Sequence, residues 1–154
     1  MGAAYFYHLT RNPLERTLPV LLSKARQAGW RIAVRGVAPD RLDRLDDTLW
    51  LGDEDDFLPH GRSGGPHDGD QPILLTTSMD TPNGATCVMS VDGAEIDPDE
   101  VARLDRVCIL FDGNDTQALQ TARGQWKALT GAGCEAQYWS EESGRWEKKA
   151  ESPG

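Results

Sequence analysis

The chain has 154 residues, of which 16 are basic (Lys or Arg) and 25 acidic, so its net charge is −9 at neutral pH. This length suits one domain, which at such a size buries about 68–70% of its unfolded surface. The negative charge repels phosphate backbones and argues against direct binding of duplex DNA. Residues 1–117 hold 11 basic and 20 acidic side chains, whereas residues 118–154 hold five of each. An anionic partner is therefore expected to meet the C-terminal segment.

The sequence contains no signature of a membrane or secreted protein. No window approaches the ~18–20 consecutive apolar residues of a membrane-spanning helix. Residues 1–10 lack the basic and apolar regions of a secretory signal. The three cysteines, Cys87, Cys108 and Cys134, form no C-x-x-C pair. They are expected to be reduced core thiols of a cytoplasmic protein without membrane contact.

The first predicted elements alternate between strand and helix. An aromatic, β-prone stretch at 3–9 predicts a strand. Asn12-Pro13 then suits the start of a helix that continues at helical spacing to Gly29. Pro19 inside this pattern predicts either a kink or a start at Thr17. A short strand at 31–35 and an amphipathic helix at 39–49, which ends at Trp50, follow.

The stretch 52–70 is the most irregular part of the chain. It begins with four acidic residues, continues with Phe57-Leu58-Pro59-His60-Gly61 and ends in a segment rich in Gly, Pro and His. Long loops in compact domains are often functional or disordered. We therefore predict a loop with a functional role here.

The alternation resumes after this loop and predicts the fold class. Strands are predicted at 72–77, 85–91, 106–111 and 135–140, and helices at 98–104 and from Asp115 or Thr116 to Leu129. Residues 145–149 are interpreted as a tail. The pattern predicts one α/β domain over 1–150, a C-terminal tail over 151–154, and a three-layer α/β/α sandwich with a mostly parallel central sheet. This outline is Rossmann-like, but the glycine-rich nucleotide fingerprints are missing.

Patterns for catalysis and for metal binding are weak. The densest group of possible metal ligands comprises His60, His67, Asp68 and Asp70. This group lies in a glycine-rich loop without a cysteine, so no metal or cofactor site is predicted. His8 ends a strand and could act as a base, although a structural histidine is far more common. No catalytic residue is predicted, and a small nucleotide- or metal-dependent α/β enzyme that uses the 60–70 loop stays open as an alternative.

The late helix carries the first constellation suited to partner binding. Arg123 and Lys127 are four residues apart and share a helix face, with Trp126 beside them. An arginine, an ammonium group and an indole suit a peptide that ends in an aromatic residue and a free carboxylate. In the other interpretation, Trp126 belongs to the core and the cations are solvated border residues. Pattern alone favours this second interpretation.

A second constellation is formed by Trp50 and Phe57. A tryptophan at a helix end and a phenylalanine in the following loop could form an exposed apolar patch of the kind that marks an interface. Both rings could equally fold inward and cover the core. Composition does not separate the two interpretations.

Several short motifs follow one another in a fairly specific order. They are Phe6-Tyr7-His8-Leu9, the D-x-x-LW run from Asp46 to Trp50, Phe57-Leu58-Pro59-His60, Pro72-Ile73, Ala122-Arg123, Trp126-Lys127 and Tyr138-Trp139…Trp146. In this order and at these spacings the chain resembles the DNA polymerase III chi subunit family along most of its length.

The resemblance implies a non-catalytic accessory subunit of the clamp-loader assembly, located in the cytoplasm at the nucleoid-associated replisome. In this family the late helix binds the acidic, phenylalanine-terminated tail of single-stranded-DNA-binding protein, which corresponds here to Arg123, Trp126 and Lys127. The positions that correspond to Trp50 and Phe57 contact the psi subunit or a competing helicase. DNA is reached through these partners, and no cofactor is implied.

Two departures from the family pattern concern the expected contacts. Leu119 and Asp112 stand near positions where some relatives have a further lysine and an apolar pocket residue, so the tail pocket is expected to be built differently. The acidic residues 53–56 are expected to alter the psi-type contact.

Overall fold

Eight strands form a single sheet in the computed structural model, which describes residues 2–50 and 59–153. The strands are Ala3–Leu9 (β1), Ile32–Arg35 (β2), His60–Arg62 (β3), Ile73–Thr76 (β4), Cys87–Val91 (β5), Arg106–Asp112 (β6), Glu135–Ser140 (β7) and Glu147–Pro153 (β8). The helices are Leu14–Gln27 (α1), Pro39–Trp50 (α2), Pro98–Arg103 (α3) and Thr116–Gly131 (α4), with a short 3₁₀ helix at Asp68–Asp70. Within these described residues no helix is long and apolar enough to span a membrane.

The sheet has the strand order β3-β4-β2-β5-β6-β1-β7-β8, and only the β7–β8 pair is antiparallel. Helices α1 and α2 pack on one face and α3 and α4 on the other, each pair over its own apolar cluster. The central strands β2, β4 and β5 are buried along their whole length. Burial on both faces explains their near-continuous apolar sequences. The predicted α/β/α sandwich with a mostly parallel sheet is confirmed.

Helix α1 begins at Leu14, directly after the predicted start at Asn12-Pro13. It continues through Pro19, so the alternative start at Thr17 is wrong. An internal proline costs about 3 kcal/mol. Leu14, Leu18 and Leu22 are all buried on the same helix face, and each such burial contributes about 1.5–3 kcal/mol. The buried leucines therefore outweigh the cost of the proline.

Two strands occupy segments for which no strand was predicted. Strand β3 lies in the stretch predicted as a loop and pairs with β4, His60 opposite Ile73. Strand β8 includes residues 151–153, which were interpreted as a tail, and pairs with β7 at the sheet edge. Its sequence, EKKAESP, has no apolar alternation, because an exposed edge strand is held by backbone hydrogen bonds and charged side chains are common there.

All three cysteines are buried and have free thiols, as predicted. The pKa of Cys87 lies well above its ordinary value because of a hydrogen bond with Cys108 and because of burial. Both thiols are on adjacent central strands. They contribute to the core as small apolar side chains.

A buried ion pair joins the C-terminal end of β2 to α3. Arg35, 1% exposed, makes two hydrogen bonds to the Glu100 carboxylate, at 2.9 and 2.8 Å. Its other N–H groups donate to the backbone carbonyls of Ser78, Met79 and Glu95. All five donors of the guanidinium are therefore satisfied. Nothing in the local sequence around Arg35 predicted this pair.

Replacing Arg35 by Met is expected to lower the free energy of unfolding by about 3–5 kcal/mol, because it leaves the Glu100 carboxylate buried without its partner. The double variant Arg35→Met/Glu100→Leu should be less destabilised than either Arg35→Met or Glu100→Leu alone. Urea unfolding followed by circular dichroism measures these differences.

Arg41→Met is the matched control for this prediction. Arg41 pairs with Glu15 and Asp92, and its side chain is 25% exposed. Partly exposed pairs contribute about 1 kcal/mol or less. Equal losses in the Arg35 and Arg41 variants would contradict the special role of the buried pair.

Candidate partner-binding surface

Helix α4 carries all three residues predicted to bind a peptide tail. Asp115 caps its N-terminus by accepting two backbone N–H groups of the first turn, at 2.9 and 3.3 Å. Gly133 follows the helix with a φ of +88°, a conformation that ends many helices. The helix contains Arg123 and Lys127 but no acidic residue. It is therefore a positively charged element on an acidic chain.

The Trp126 indole lies half-buried at the border of the core. Its ring packs edge-on against Phe6, with 5.3 Å between the ring centroids, and against Tyr138, with 6.1 Å. Ala122 and Leu129, on the same stripe of α4, are buried. The structure thus combines both sequence interpretations, because the ring contributes to the core and also retains accessible surface.

Arg123 and Lys127 are both exposed. Neither side chain forms a hydrogen bond or an ion pair to any residue in the described ranges 2–50 and 59–153. One turn of α-helix separates them, about 6 Å along the axis. Their donors are therefore available to an anionic ligand beside the indole.

Tyr138 is a member of this surface that the sequence reasoning did not select. It lies on β7 opposite Phe6 and contacts Trp126. Burial raises the pKa of its phenol, while the nearby Arg123 charge acts in the opposite direction. Its hydroxyl is 2.8 Å from Nδ1 of His8, whose ring stacks on Phe111. The signal was available in the alternation of β7, where Ala136 and Tyr138 face α4.

The second predicted surface is described only in part. Trp50 is 52% exposed at the end of α2, and its ring lies 4.3 Å from the ring of His60. His60 is buried, with Nε2 3.0 Å from a carboxylate oxygen of Asp46. Phe57 lies outside the described residues. The accessible indole is therefore anchored between α2 and β3.

The 60–70 segment does not gather its histidines and acids into one cluster. His60 is buried in β3, whereas His67 is exposed and 3.5 Å from Asp70. The Asp68 carboxylate accepts the backbone N–H groups of Gly64 and Gly65 and so stabilises a turn. In the described part of the chain, no group of three or more His, Cys, Asp or Glu side chains is placed to hold a metal ion.

The turn after β1, which binds phosphate in Rossmann-like folds, is hydrogen-bonded to Glu141 here. A cavity of about 670 Å³ lies beyond the carboxyl ends of β1 and β6, where adjacent helices leave to opposite faces. The turn after β1 directs three successive backbone N–H groups, of residues 10–12, at one carboxylate oxygen of Glu141, at 2.9–3.0 Å. Such a row of N–H groups is an anion-binding nest. Here the protein's own carboxylate fills it.

Comparison with known proteins gives a consistent classification. The family model described as DNA polymerase III chi subunit, HolC, matches residues 1–137. A probable DNA polymerase III subunit chi of Rickettsia prowazekii (strain Madrid E) is 23% identical over 90 residues, which cover 58% of this chain and 54% of the relative. The matched stretch spans about half the length of that curated relative. The fold is that of an α/β protein, and the family model covers most of the chain. The chain belongs to the DNA polymerase III chi subunit family.

Glu141→Gln is expected to reduce stability at neutral pH by about 1–3 kcal/mol, because the nest loses its anion. Burial raises the pKa of Glu141, but the hydrogen bonds from Asn12, Thr10 and Arg11 together lower it by more than burial raises it. The folded-state pKa therefore lies below the ordinary value. The carboxylate therefore stabilises the fold above the unfolded pKa of about 4.3, and this contribution disappears as pH falls through the folded pKa.

Urea unfolding at a series of pH values tests this prediction. The difference between the wild type and Glu141→Gln should shrink as the solution is acidified. Glu142→Gln, at an exposed neighbour, is the control and should keep the wild-type pH dependence. A difference that stays constant down to strongly acidic pH would contradict the role of the charge.

Proposed function

We propose that this protein is a non-catalytic accessory subunit of the DNA polymerase III holoenzyme, associated with the clamp loader in the cytoplasmic replisome. In this proposal, α4 binds the acidic C-terminal tail of single-stranded-DNA-binding protein. Membership of the chi family supports the replicase assignment. The charge distribution supports the choice of surface, because α4 has two cations and no acid on a chain of net charge −9.

The observation that carries the tail-binding proposal is the juxtaposition of exposed cations with half-buried aromatic rings. The Arg123 guanidinium can donate two parallel hydrogen bonds to a terminal carboxylate, and Lys127 adds a second positive charge. Trp126 and Tyr138 offer apolar surface to a phenylalanine ring. This combination distinguishes a phenylalanine-terminated acidic tail from an acidic segment without a free aromatic end.

The proposed second contact uses Trp50 and Phe57 to hold the psi subunit or a helicase. The support is the large accessible fraction of the Trp50 indole and its anchoring on His60. Aromatic residues of this kind are enriched among the residues that contribute most to interface affinity. The protein would then link the two partners and reach DNA through them, since its negative charge repels the phosphate backbone.

A peptide ending in Asp-Phe-Pro-Phe is expected to bind with micromolar, salt-sensitive affinity. Arg123→Ala or Lys127→Glu should each weaken binding about tenfold or more. A hydrogen bond to a charged group contributes about 1.5–3 kcal/mol, and 1.4 kcal/mol corresponds to a factor of ten. Fluorescence anisotropy of the labelled peptide at low and high salt measures these affinities.

Two controls accompany the titration. Arg103→Ala removes an exposed cation from α3 and should leave the affinity unchanged. A peptide with a C-terminal amide should bind more weakly than the free acid. Unchanged affinity in both Arg123→Ala and Lys127→Glu would refute the assignment of α4.

The double variant Trp50→Ala/Phe57→Ala is expected to lose psi or helicase binding and to retain binding of the tail peptide. Co-purification of the coexpressed partner measures the first property, and anisotropy measures the second. Val37→Ala/Met79→Ala, which changes two exposed apolar residues elsewhere, is the matched control. Retention of the partner by the Trp50/Phe57 variant would contradict the proposed contact.

A further inference from the structure

A trough of about 490 Å³ lies between α1 and the sheet, away from the α4 surface. Its floor consists of four aromatic side chains, Tyr5, Tyr7, Trp139 and Trp146. Its wall is one stripe of α1 that includes Arg16, Val20 and Lys24. We call this surface the α1 trough.

The α1 trough and α4 lie on opposite faces of β7. Tyr138 belongs to the apolar cluster beneath α4. Trp139, the next residue of the strand, lines the trough, and Tyr7 opposite it packs on the cluster beneath α1. Because successive strand residues point to opposite faces, a ligand in the trough does not reach α4.

The trough lies beside α1, where a third helix would pack on this face of the sheet. Helices α1 and α2 pack side by side over strands that include β2, β4 and β6. The described residues supply no third helix beside α1, since α3 and α4 pack on the other face. Neighbouring helices pack with their axes about 8–10 Å apart. An added helix that lies along α1 would cover the aromatic floor and Val20, which is 53% exposed.

The charged side chains around the trough favour an acidic ligand. Arg16 and Lys24 are exposed, and neither side chain forms a hydrogen bond or an ion pair with another residue of the described ranges. The Arg106 guanidinium lies 3.8 Å from the centroid of the Tyr5 ring and adds positive charge at the floor. The carboxylate of Glu141, which also lines the trough, is saturated by the turn after β1.

The distance between the two cations of α1 indicates how far apart the acidic residues of the ligand should be. Arg16 and Lys24 are eight residues apart, about 12 Å along the helix axis. Two carboxylates seven or eight residues apart on a helix match that distance, and apolar residues between them would face Val20 and the rings. From these observations we infer that the α1 trough docks an amphipathic helix of a partner protein, with acidic side chains along the edge of its apolar face. This inference goes beyond the tail-binding proposal and does not depend on it.

The test uses a labelled 15-residue helical peptide with leucines on one face and glutamates seven residues apart, together with a version that has lysines instead. Anisotropy at low salt should give micromolar binding of the acidic peptide and at least tenfold weaker binding of the basic one. Arg16→Glu/Lys24→Glu and Val20→Glu should each weaken binding of the acidic peptide at least tenfold. Arg103→Glu and Met79→Glu, exposed residues elsewhere, should leave it unchanged.

Several outcomes would overturn the inference. They are absence of binding by the wild type, equal binding of the acidic and basic peptides, and unchanged affinity in the trough variants. Binding of a dT15 oligonucleotide that Arg16→Glu/Lys24→Glu abolishes, without binding of the acidic peptide, would assign the trough to nucleic acid instead. A dimer in sedimentation that Val20→Glu dissociates, again without peptide binding, would assign it to a second copy of the chain.

The tail peptide separates this inference from the proposed function. Val20→Glu should bind the Asp-Phe-Pro-Phe peptide like the wild type, because α4 is on the other face of β7. Loss of both peptides in this variant, with circular dichroism unchanged, would overturn the assignment of two independent surfaces.

Discussion

The Glu141 carboxylate holds the turn before α1 against the end of β7, and the α1 trough depends on that spacing. Glu141 directly follows β7 and is 3% exposed. It accepts three N–H groups from the turn between β1 and α1, which lies about 130 residues earlier in the chain. A buried donor left without a partner costs about 1–3 kcal/mol, so the three bonds fix this joint firmly. The distance from α1 to β7 sets the width of the α1 trough on one face, and β7 presents Tyr138 beside α4 on the other.

The same carboxylate distinguishes the turn after β1 in this chain from the phosphate-binding turn of Rossmann-like proteins. In nucleotide-binding relatives of the fold, a glycine-rich turn after the first strand leaves its N–H groups open to phosphate. Here the turn Thr10-Arg11-Asn12-Pro13 has no glycine, and its N–H groups are bonded within the protein. Asp115 similarly caps α4 at the other side of the crevice. The proposed binding surfaces accordingly lie on helix flanks and not at the carboxyl ends of the strands.

Local periodicity predicted most of the fold, because the elements that it identified bury their own apolar residues. The bounds predicted for β1 and β7 agree with the structure, and α4 begins at Thr116, one of the two predicted starts. Strand β8 was missed since backbone pairing with β7 holds it and its side chains carry no pattern. The Arg35–Glu100 pair, the Tyr138 contact and the Glu141 joint each connect residues that are far apart in sequence. Such contacts depend on the strand order, which local pattern does not specify.

The placement of cations on an acidic chain shows why two helices stand out as binding elements. In the acidic first three-quarters, Arg35, Arg41 and Arg62 are each paired with carboxylates and contribute little outward positive potential. Helix α4 has two cations and no acid, and the one acid of α1, Glu15, is neutralised by Arg41. Each helix therefore presents a local positive charge next to aromatic rings. The rest of the chain, which is negatively charged, repels anions. A partner with both acidic and apolar side chains is favoured at these positions, whereas a nucleic acid backbone, which extends over a wider area, meets mostly repulsion.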